Sequence, residues 1–74
     1  MVETVQETIC VRVNGEAKSV SAGLSIAGLL AEIEIDPKKV AVERNLDIVP
    51  RALLEEVRVE DGDTLEIVHF VGGG

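Results

Sequence analysis

The residues with the clearest chemical potential in this sequence are three consecutive glycines, Gly72, Gly73 and Gly74, at its end. They follow a segment, Thr64 to Val71, whose residue types predict a β-strand. Glycine has no Cβ, so its backbone adopts conformations closed to other residues and approaches another surface closely. Such a tail can enter a narrow partner site and present the α-carboxylate of Gly74 for activation. The alternative is an inert frayed end, because chain ends are often disordered and rich in small residues.

No pattern of catalytic side chains accompanies the glycines. The sequence holds one histidine, His69, and one cysteine, Cys10, and neither has a partner at an interpretable spacing. Cys10 is predicted to be a strand thiol, and His69 a surface or interface histidine. Asp61 and Asp63 flank Gly62 in a turn signal, and two carboxylates on a turn rarely suffice to hold a metal ion. We therefore predict no active site, no metal site and no cofactor bound by this chain.

Length and composition predict one small domain over residues 1–74, with 72–74 as a flexible glycine tail. The apolar content of 46% is enough for one compact core. A net charge of −7 repels the phosphate backbone of nucleic acids. It suits a partner that presents basic groups, although solubility alone would explain it. With no possible intrachain disulfide, no signal peptide and no apolar run near ~20 residues, we expect a cytoplasmic protein that binds no membrane.

The first half of the sequence predicts a hairpin followed by one helix. Apolar residues alternate over positions 9–13, Asn14-Gly15 favours a type I′ turn, and residues 16–20 form the returning strand. The alternation places Cys10 on the face opposite to its apolar neighbours. Ser25 is the predicted N-cap of a helix whose apolar stripe runs from 26 to 33.

Two further features qualify that helix. Leu24, just before the cap, is predicted to pack against Leu29 as a hydrophobic staple. Gly28 costs about 1 kcal/mol relative to alanine inside a helix, which indicates close packing of the helix against the sheet.

The second half predicts three more strands, and so an α+β fold with one helix on one face of a mixed sheet. The expected sequence of features is a turn at Asp36-Pro37, a strand around Val40 and Val42, a turn at Arg44-Asn45, a short strand from Leu46 to Val49 ended by Pro50, the Asp61-Gly62-Asp63 turn, and the last strand, Thr64 to Val71. The first and last strands are the expected central pair, because both are rich in β-branched residues.

The last strand predicts a partner-binding surface beside the tail. Its alternation turns Leu65 and Ile67 toward the helix and Val68 and Phe70 toward the opposite face. Exposed apolar residues next to each other often mark a site where a partner binds. We therefore predict that Val68, Phe70 and the intervening His69 contact a partner that works on Gly74.

Together these residues resemble the ubiquitin-like β-grasp fold and, within it, the ThiS family of thiamine-biosynthesis sulfur carriers, which is related to MoaD. The resemblance covers residues 9–74 and is most specific in the closing segment. The residues that carry it are Val40-Ala41-Val42-Glu43-Arg44-Asn45, Ile48-Val49-Pro50-Arg51, Asp61-Gly62-Asp63 and Glu66-Ile67-Val68-His69-Phe70-Val71-Gly72-Gly73-Gly74. It implies a mixed sheet of four to five strands with one main helix packed on one face.

The resemblance also implies a carrier and not an enzyme. A ThiF-like adenylyltransferase, which uses ATP and magnesium, would adenylate Gly74, and a sulfur donor enzyme would convert it to a thiocarboxylate. Thiazole synthase ThiG would accept the sulfur, and Gly72 and Gly73 would give the partners access. A sister carrier for molybdopterin or cysteine synthesis, a ubiquitin-like protein tag, and an inert interaction module remain alternatives.

Overall fold

A hairpin, one helix and three further strands follow one another along residues 7–70, the part of the chain described by this computed structural model. The strands are β1 (Thr8–Val13), β2 (Glu16–Ser21), β3 (Val40–Arg44), β4 (Asp47–Val49) and β5 (Thr64–His69), the helix is α1 (Ile26–Glu32), and short 3₁₀ turns span Pro37–Lys39 and Arg51–Leu53. The predicted order of elements is confirmed.

The five strands form one mixed sheet in the order β2-β1-β5-β3-β4. The β1–β5 pair is parallel, and the other three pairs are antiparallel. The first and last strands are neighbours, as predicted, and β5 is the middle strand of the sheet. The last strand is therefore held on both sides by backbone hydrogen bonds.

Helix α1 covers one face of this sheet and closes the core. Its three buried apolar residues, Ile26, Leu29 and Leu30, have no measurable exposure. The sheet residues buried with them include Val11, Val42 and Leu65. The α+β arrangement predicted from the sequence is thus confirmed, with the helix on one face and the other face exposed among residues 7–70. No helix within residues 7–70 is long and apolar enough to cross a membrane.

The start of α1 confirms one prediction and corrects another. The Ser25 hydroxyl accepts a hydrogen bond from the Gly28 N–H at 3.0 Å, as expected of an N-cap. The packing predicted for Gly28 was wrong, because a Cβ there would meet Leu24 Cδ2 at 3.2 Å and Ser25 Oγ at 3.4 Å, not the sheet. The close neighbour of Gly28 is therefore the residue that leads into its own helix.

Both hairpin turns have two residues with positive φ. Asn14 and Gly15, at φ 51° and 83°, confirm the predicted type I′ turn. In the second hairpin the predicted turn and strand were displaced by one residue. Asn45 and Leu46, at φ 51° and 75°, form the turn, and β4 begins after them. The sequence signal failed here because leucine is an unusual residue in the left-handed region.

Candidate functional site

The described part of the candidate site is the end of β5, the strand from which the glycine tail continues. Gly72, Gly73 and Gly74 lie outside the described residues, so their predicted roles stay predictions. Phe70 is the last described residue, and its N–H donates to the Lys39 carbonyl at 3.0 Å. The backbone is thus paired as far as Phe70, the last described residue.

Asn14, in the first hairpin turn, holds the middle of β5 through its side chain. Its Nδ2 donates to the Ile67 carbonyl at 3.1 Å, and the Ile67 N–H donates to Asn14 Oδ1 at 2.7 Å. The Asn14 N–H also donates to the Leu65 carbonyl at 2.9 Å. The side-chain amide therefore continues the parallel pairing beyond the end of β1.

The base of β5 is held by a buried carboxylate, Asp63, which is only 6% exposed. Its Oδ2 accepts from Arg44 Nε at 2.8 Å and from the Glu60 N–H at 2.9 Å, and its Oδ1 accepts from Asn45 Nδ2 at 3.1 Å. Asn45 Oδ1 in turn accepts from the Thr64 N–H at 3.0 Å. This network joins the second hairpin turn to the first residue of β5.

The charge state of this network follows from its contacts. Burial by itself would raise the pKa of Asp63, but the hydrogen bonds from Glu60, Arg44 and Asn45, with the Arg44 charge, together lower it. The same hydrogen bond to Asp63 raises the pKa of Arg44. Both groups are therefore charged at neutral pH, as an ion pair.

Asp61-Gly62-Asp63 forms the predicted turn. Gly62 has φ 88°, and Asp61 Oδ1 accepts from the Cys10 N–H at 2.8 Å. Among residues 7–70, no group of three or more histidine, cysteine or acidic side chains could hold a metal ion. Cys10 itself is exposed and lies out of phase with buried Val11, as its strand position predicted.

The structure brings together two of the three residues predicted to form the partner-binding surface. Val68 and Phe70 are exposed by 58% and 55%, while Leu65 and Ile67 are buried under the helix, as expected. His69 is also exposed, but it pairs with buried Val40 and alternates to the helix side. Val68 and Phe70 therefore share the open face of the sheet, and His69 does not.

Ile48, which is 72% exposed on the edge strand β4, extends this surface. Between β4 and β5, exposed Ala41 on β3 pairs directly with Val68. We define Ala41, Ile48, Val68 and Phe70 as the open-face patch. Sequence reasoning missed Ile48 because pairing between separate strands, not local alternation, decides which exposed residues become neighbours.

Phe70 lies beside the guanidinium group of Arg51. The guanidinium carbon of Arg51 lies 5.7 Å from the centre of the Phe70 ring, within the range of a cation–π contact. Arg51 Nη1 also donates to the Lys38 carbonyl at 3.1 Å. A shallow hollow of about 160 Å³ between Phe70 and β4 is lined by Ile48 and Pro50. The open-face patch is therefore apolar and borders a shallow hollow.

Comparison with known proteins places this geometry among its relatives. The ThiS family model matches residues 11–74. A thiazole synthase of Paramagnetospirillum magneticum is 53% identical over 62 residues, which are 84% of this chain and 19% of that protein. Sulfur carrier protein ThiS of Bacillus subtilis is 48% identical over 50 residues, which are 68% of this chain and 76% of that protein. The chain spans about a fifth of the length of the thiazole synthases it matches.

The same architecture occurs in a solved structure. The crystal structure of thiamine biosynthesis protein ThiS from Geobacter metallireducens matches with a TM-score of 0.76 at 30% identity, covering 89% of this chain and 100% of that chain. The ubiquitin-like β-grasp fold expected from the sequence is thereby confirmed.

Proposed function

The chain belongs to the ThiS family, and we propose on that basis that it is a sulfur carrier of thiamine biosynthesis. The observation that carries this proposal is the extent of the family match, which includes all of β5 and runs through the glycines to residue 74. The relative in Bacillus subtilis, which bears the name sulfur carrier protein ThiS, supports it.

The proposed chemistry takes place on the α-carboxylate of Gly74. A carboxylate oxygen attacks the α-phosphate of ATP, pyrophosphate leaves, and the glycine becomes an acyl-adenylate. A persulfide then attacks the acyl carbon, and AMP leaves. The product is an acyl disulfide, in which the new bond joins the acyl carbon to sulfur. A second thiol then attacks the donor's sulfur and cleaves the S–S bond that came from the persulfide, which frees a C-terminal thiocarboxylate and leaves a disulfide between the two thiols. Adenylation is required because an unactivated carboxylate is a poor electrophile, and the unbranched glycyl carbon leaves the carbonyl open to attack.

In this proposal, the partner enzymes supply the catalytic groups. ATP and magnesium belong to a ThiF-like adenylyltransferase, since metal ions and positioned cations neutralise the charge that develops on the phosphates. A sulfur donor enzyme supplies the persulfide. The chain itself contributes a strand held on both sides and a tail without side chains, which presents Gly74 to each enzyme.

Thiazole synthase is the proposed acceptor of the sulfur. The thiazole synthases that match this chain are about five times its length, so in them a segment like this one belongs to the same polypeptide as the rest of the enzyme. A permanent link between the two supports the view that the segment described here also meets a thiazole synthase.

The test is the intact mass of the 74-residue chain after incubation with ATP, magnesium, a ThiF-like adenylyltransferase and a sulfur source. We expect a gain equal to one oxygen replaced by sulfur, confined to the fragment that contains Gly74. A variant with one alanine added after Gly74 should gain nothing, because its carboxylate is displaced from the adenylation site. An unchanged mass of the natural chain, with an enzyme active on a known carrier, would contradict the proposal.

A second measurement separates thiamine synthesis from the sister pathways. The loaded chain should support thiazole formation by thiazole synthase. Loading without transfer to that enzyme would redirect the proposal to a carrier for molybdopterin or cysteine synthesis. High-molecular-weight conjugates through Gly74 would instead indicate a protein tag.

A further inference from the structure

The turn of the first hairpin places a side-chain amide next to an unhindered backbone nitrogen. The backbone nitrogen that follows an asparagine can attack the asparagine's Cγ, and asparagine is accordingly one of the thermally labile residues. Glycine has no Cβ to obstruct that attack. Asn14 precedes Gly15, whereas Asn45, the other asparagine of the chain, precedes Leu46, whose side chain shields the nitrogen. Asn14-Gly15 is therefore the pair in this sequence best suited to the reaction.

Burial does not protect this pair. Asn14 and Gly15 are both exposed. Apart from the chain neighbours of Gly15, no atom lies within 4 Å of the position that a Cβ would take there. Water and dissolved base therefore reach the turn, and any protection must come from the contacts that hold the amide.

Both polar atoms of the Asn14 amide are held by one buried residue of β5. Asn14 Nδ2 donates to the Ile67 carbonyl at 3.1 Å, and the Ile67 N–H donates to Asn14 Oδ1 at 2.7 Å. Ile67 is 5% exposed and lies on the middle strand of the sheet. Since Cγ lies between the two bonded atoms, it cannot turn toward the Gly15 nitrogen as an attack requires unless these hydrogen bonds break.

We propose that Asn14-Gly15 is a site of self-modification, which the contact with Ile67 keeps closed in the folded chain and which opens when β5 separates from the hairpin turn. In the open state the Gly15 nitrogen gives its proton to a dissolved base and bonds to Asn14 Cγ. The bond from Cγ to Nδ2 breaks, and ammonia leaves with a proton returned by the base. Water then opens the resulting succinimide ring at either carbonyl, which gives aspartate or isoaspartate at position 14.

The modified residue holds β5 less well. Its carboxylate has no donor for the Ile67 carbonyl and brings a negative charge toward that oxygen. Isoaspartate also lengthens the backbone of the turn by one carbon. A chain that has once opened for long enough therefore refolds with a permanently weakened hold on the strand that leads to the tail.

The test compares the folded chain with a synthetic peptide of residues 12–17, which is too short to fold and has the same local sequence. Both are incubated in one mildly alkaline buffer, and the natural chain is also incubated in urea. Mass spectrometry of the fragment that contains Asn14 follows the replacement of the amide NH₂ by OH. Gly15→Ala is the matched variant, because its methyl group hinders the attack, and Asn45 is the internal control.

We expect Asn14 to react about tenfold or more slowly in the folded chain than in the peptide, since two hydrogen bonds must break first. In urea the natural chain should approach the rate of the peptide. Gly15→Ala and Asn45 should react slowly in every sample. Equal rates in the folded chain and the peptide would overturn the inference, as would equal rates for the natural chain and Gly15→Ala in urea.

A second measurement tests whether the contact with Ile67 is the gate. Hydrogen exchange of the Ile67 N–H, the group bonded to Asn14 Oδ1, reports how often that contact opens. The factor by which folding slows the reaction of Asn14 should agree with the protection of this N–H within about threefold. Reaction at Asn14 much faster than the opening of Ile67 allows would show that the contact is not the gate. Full protection of Asn14 while Ile67 exchanges freely would assign the protection to the turn and overturn the inference.

Neither measurement uses Gly74 or a partner enzyme. The inference therefore goes beyond the proposed function, and its failure would leave the carrier function untouched. Conversely, a chain that never gains sulfur could still show the protected site at Asn14-Gly15.

Discussion

The side-chain amide of Asn14 bonds both backbone groups of Ile67, at 3.1 Å and 2.7 Å. Asn14, whose residue type suits the tight turn of the first hairpin, thus also holds β5, the strand that leads to the tail. The two roles can be separated, because glycine accepts the positive φ of this turn position but has no amide.

Asn14→Gly should therefore lower the free energy of unfolding by about 1–3 kcal/mol, the cost of leaving partly buried backbone groups without partners. Urea denaturation followed by circular dichroism measures it. Asn14→Asp keeps the acceptor for the Ile67 N–H and loses the donor. Its free energy of unfolding should therefore lie between those of the natural chain and of Asn14→Gly. A glycine variant as stable as the natural chain would show that the amide adds nothing.

We expect the protein to lose stability in acid because the carboxylate of Asp63 becomes protonated. Its folded-state pKa lies below its unfolded value of about 3.9, so its contribution is fully present above that value. The contribution is lost as the pH falls through the lower, folded-state pKa, where the carboxylate must accept a proton. The free energy of unfolding, measured from pH 7 downward, should decrease over this range.

Asp63→Asn provides the control for that measurement. It should cost about 1.5–3 kcal/mol at pH 7, because it removes hydrogen bonds to a charged group, and its acid loss should be smaller than that of the natural chain. If both proteins lose stability equally below about pH 4, other carboxylates account for the acid sensitivity.

We expect that replacing Leu46 with glycine stabilises the protein. It has φ 75° and is 86% exposed, so it bears the strain of the left-handed region with little packing in return. Leu46→Gly creates the Asn-Gly pair favoured in type I′ turns. Because the relief of strain, about 1–2 kcal/mol, is partly offset by the greater freedom of glycine in the unfolded chain, we expect a net gain of about 0.5–1 kcal/mol.

The opposite substitution in the first hairpin is the matched control. Gly15 has φ 83°, and no atom lies within 4 Å of the position that a Cβ would take there, so Gly15→Ala tests backbone strain without a clash. It should lose about 1 kcal/mol in the same denaturation experiment. A destabilised Leu46→Gly would mean that Leu46 makes contacts which outweigh its strain.

We expect that removing the Ser25 N-cap destabilises the protein. Ser25→Ala removes the acceptor of the Gly28 N–H. We expect it to lower the free energy of unfolding by about 1 kcal/mol, the usual cost of losing an N-cap, here at the start of a helix of only seven residues. Ser25→Asp, which retains an acceptor, should restore most of that stability. If aspartate and alanine have the same effect, the cap hydrogen bond is not the cause.

The sequence alone determined the features that depend on neighbours along the chain. Asn14-Gly15 specified its turn because both residues tolerate positive φ, and Ser25 specified the start of α1 because its hydroxyl reaches an N–H three residues ahead. Alternation in β5 correctly separated buried Leu65 from exposed Val68. The glycines at 72–74 and the segment before them were sufficient to suggest the family.

Only the tertiary structure decided which distant residues meet. The pairing of β3 with β5 places Glu43 beside Glu66, and β4 adds Ile48 to the patch. The same pairing aligns His69 with buried Val40, away from the open face. These relations depend on the order and register of strands that are far apart in the sequence, and a shift of one residue would reverse every face. Local patterns carry no information about that register, so the fold itself was needed to assemble the surface.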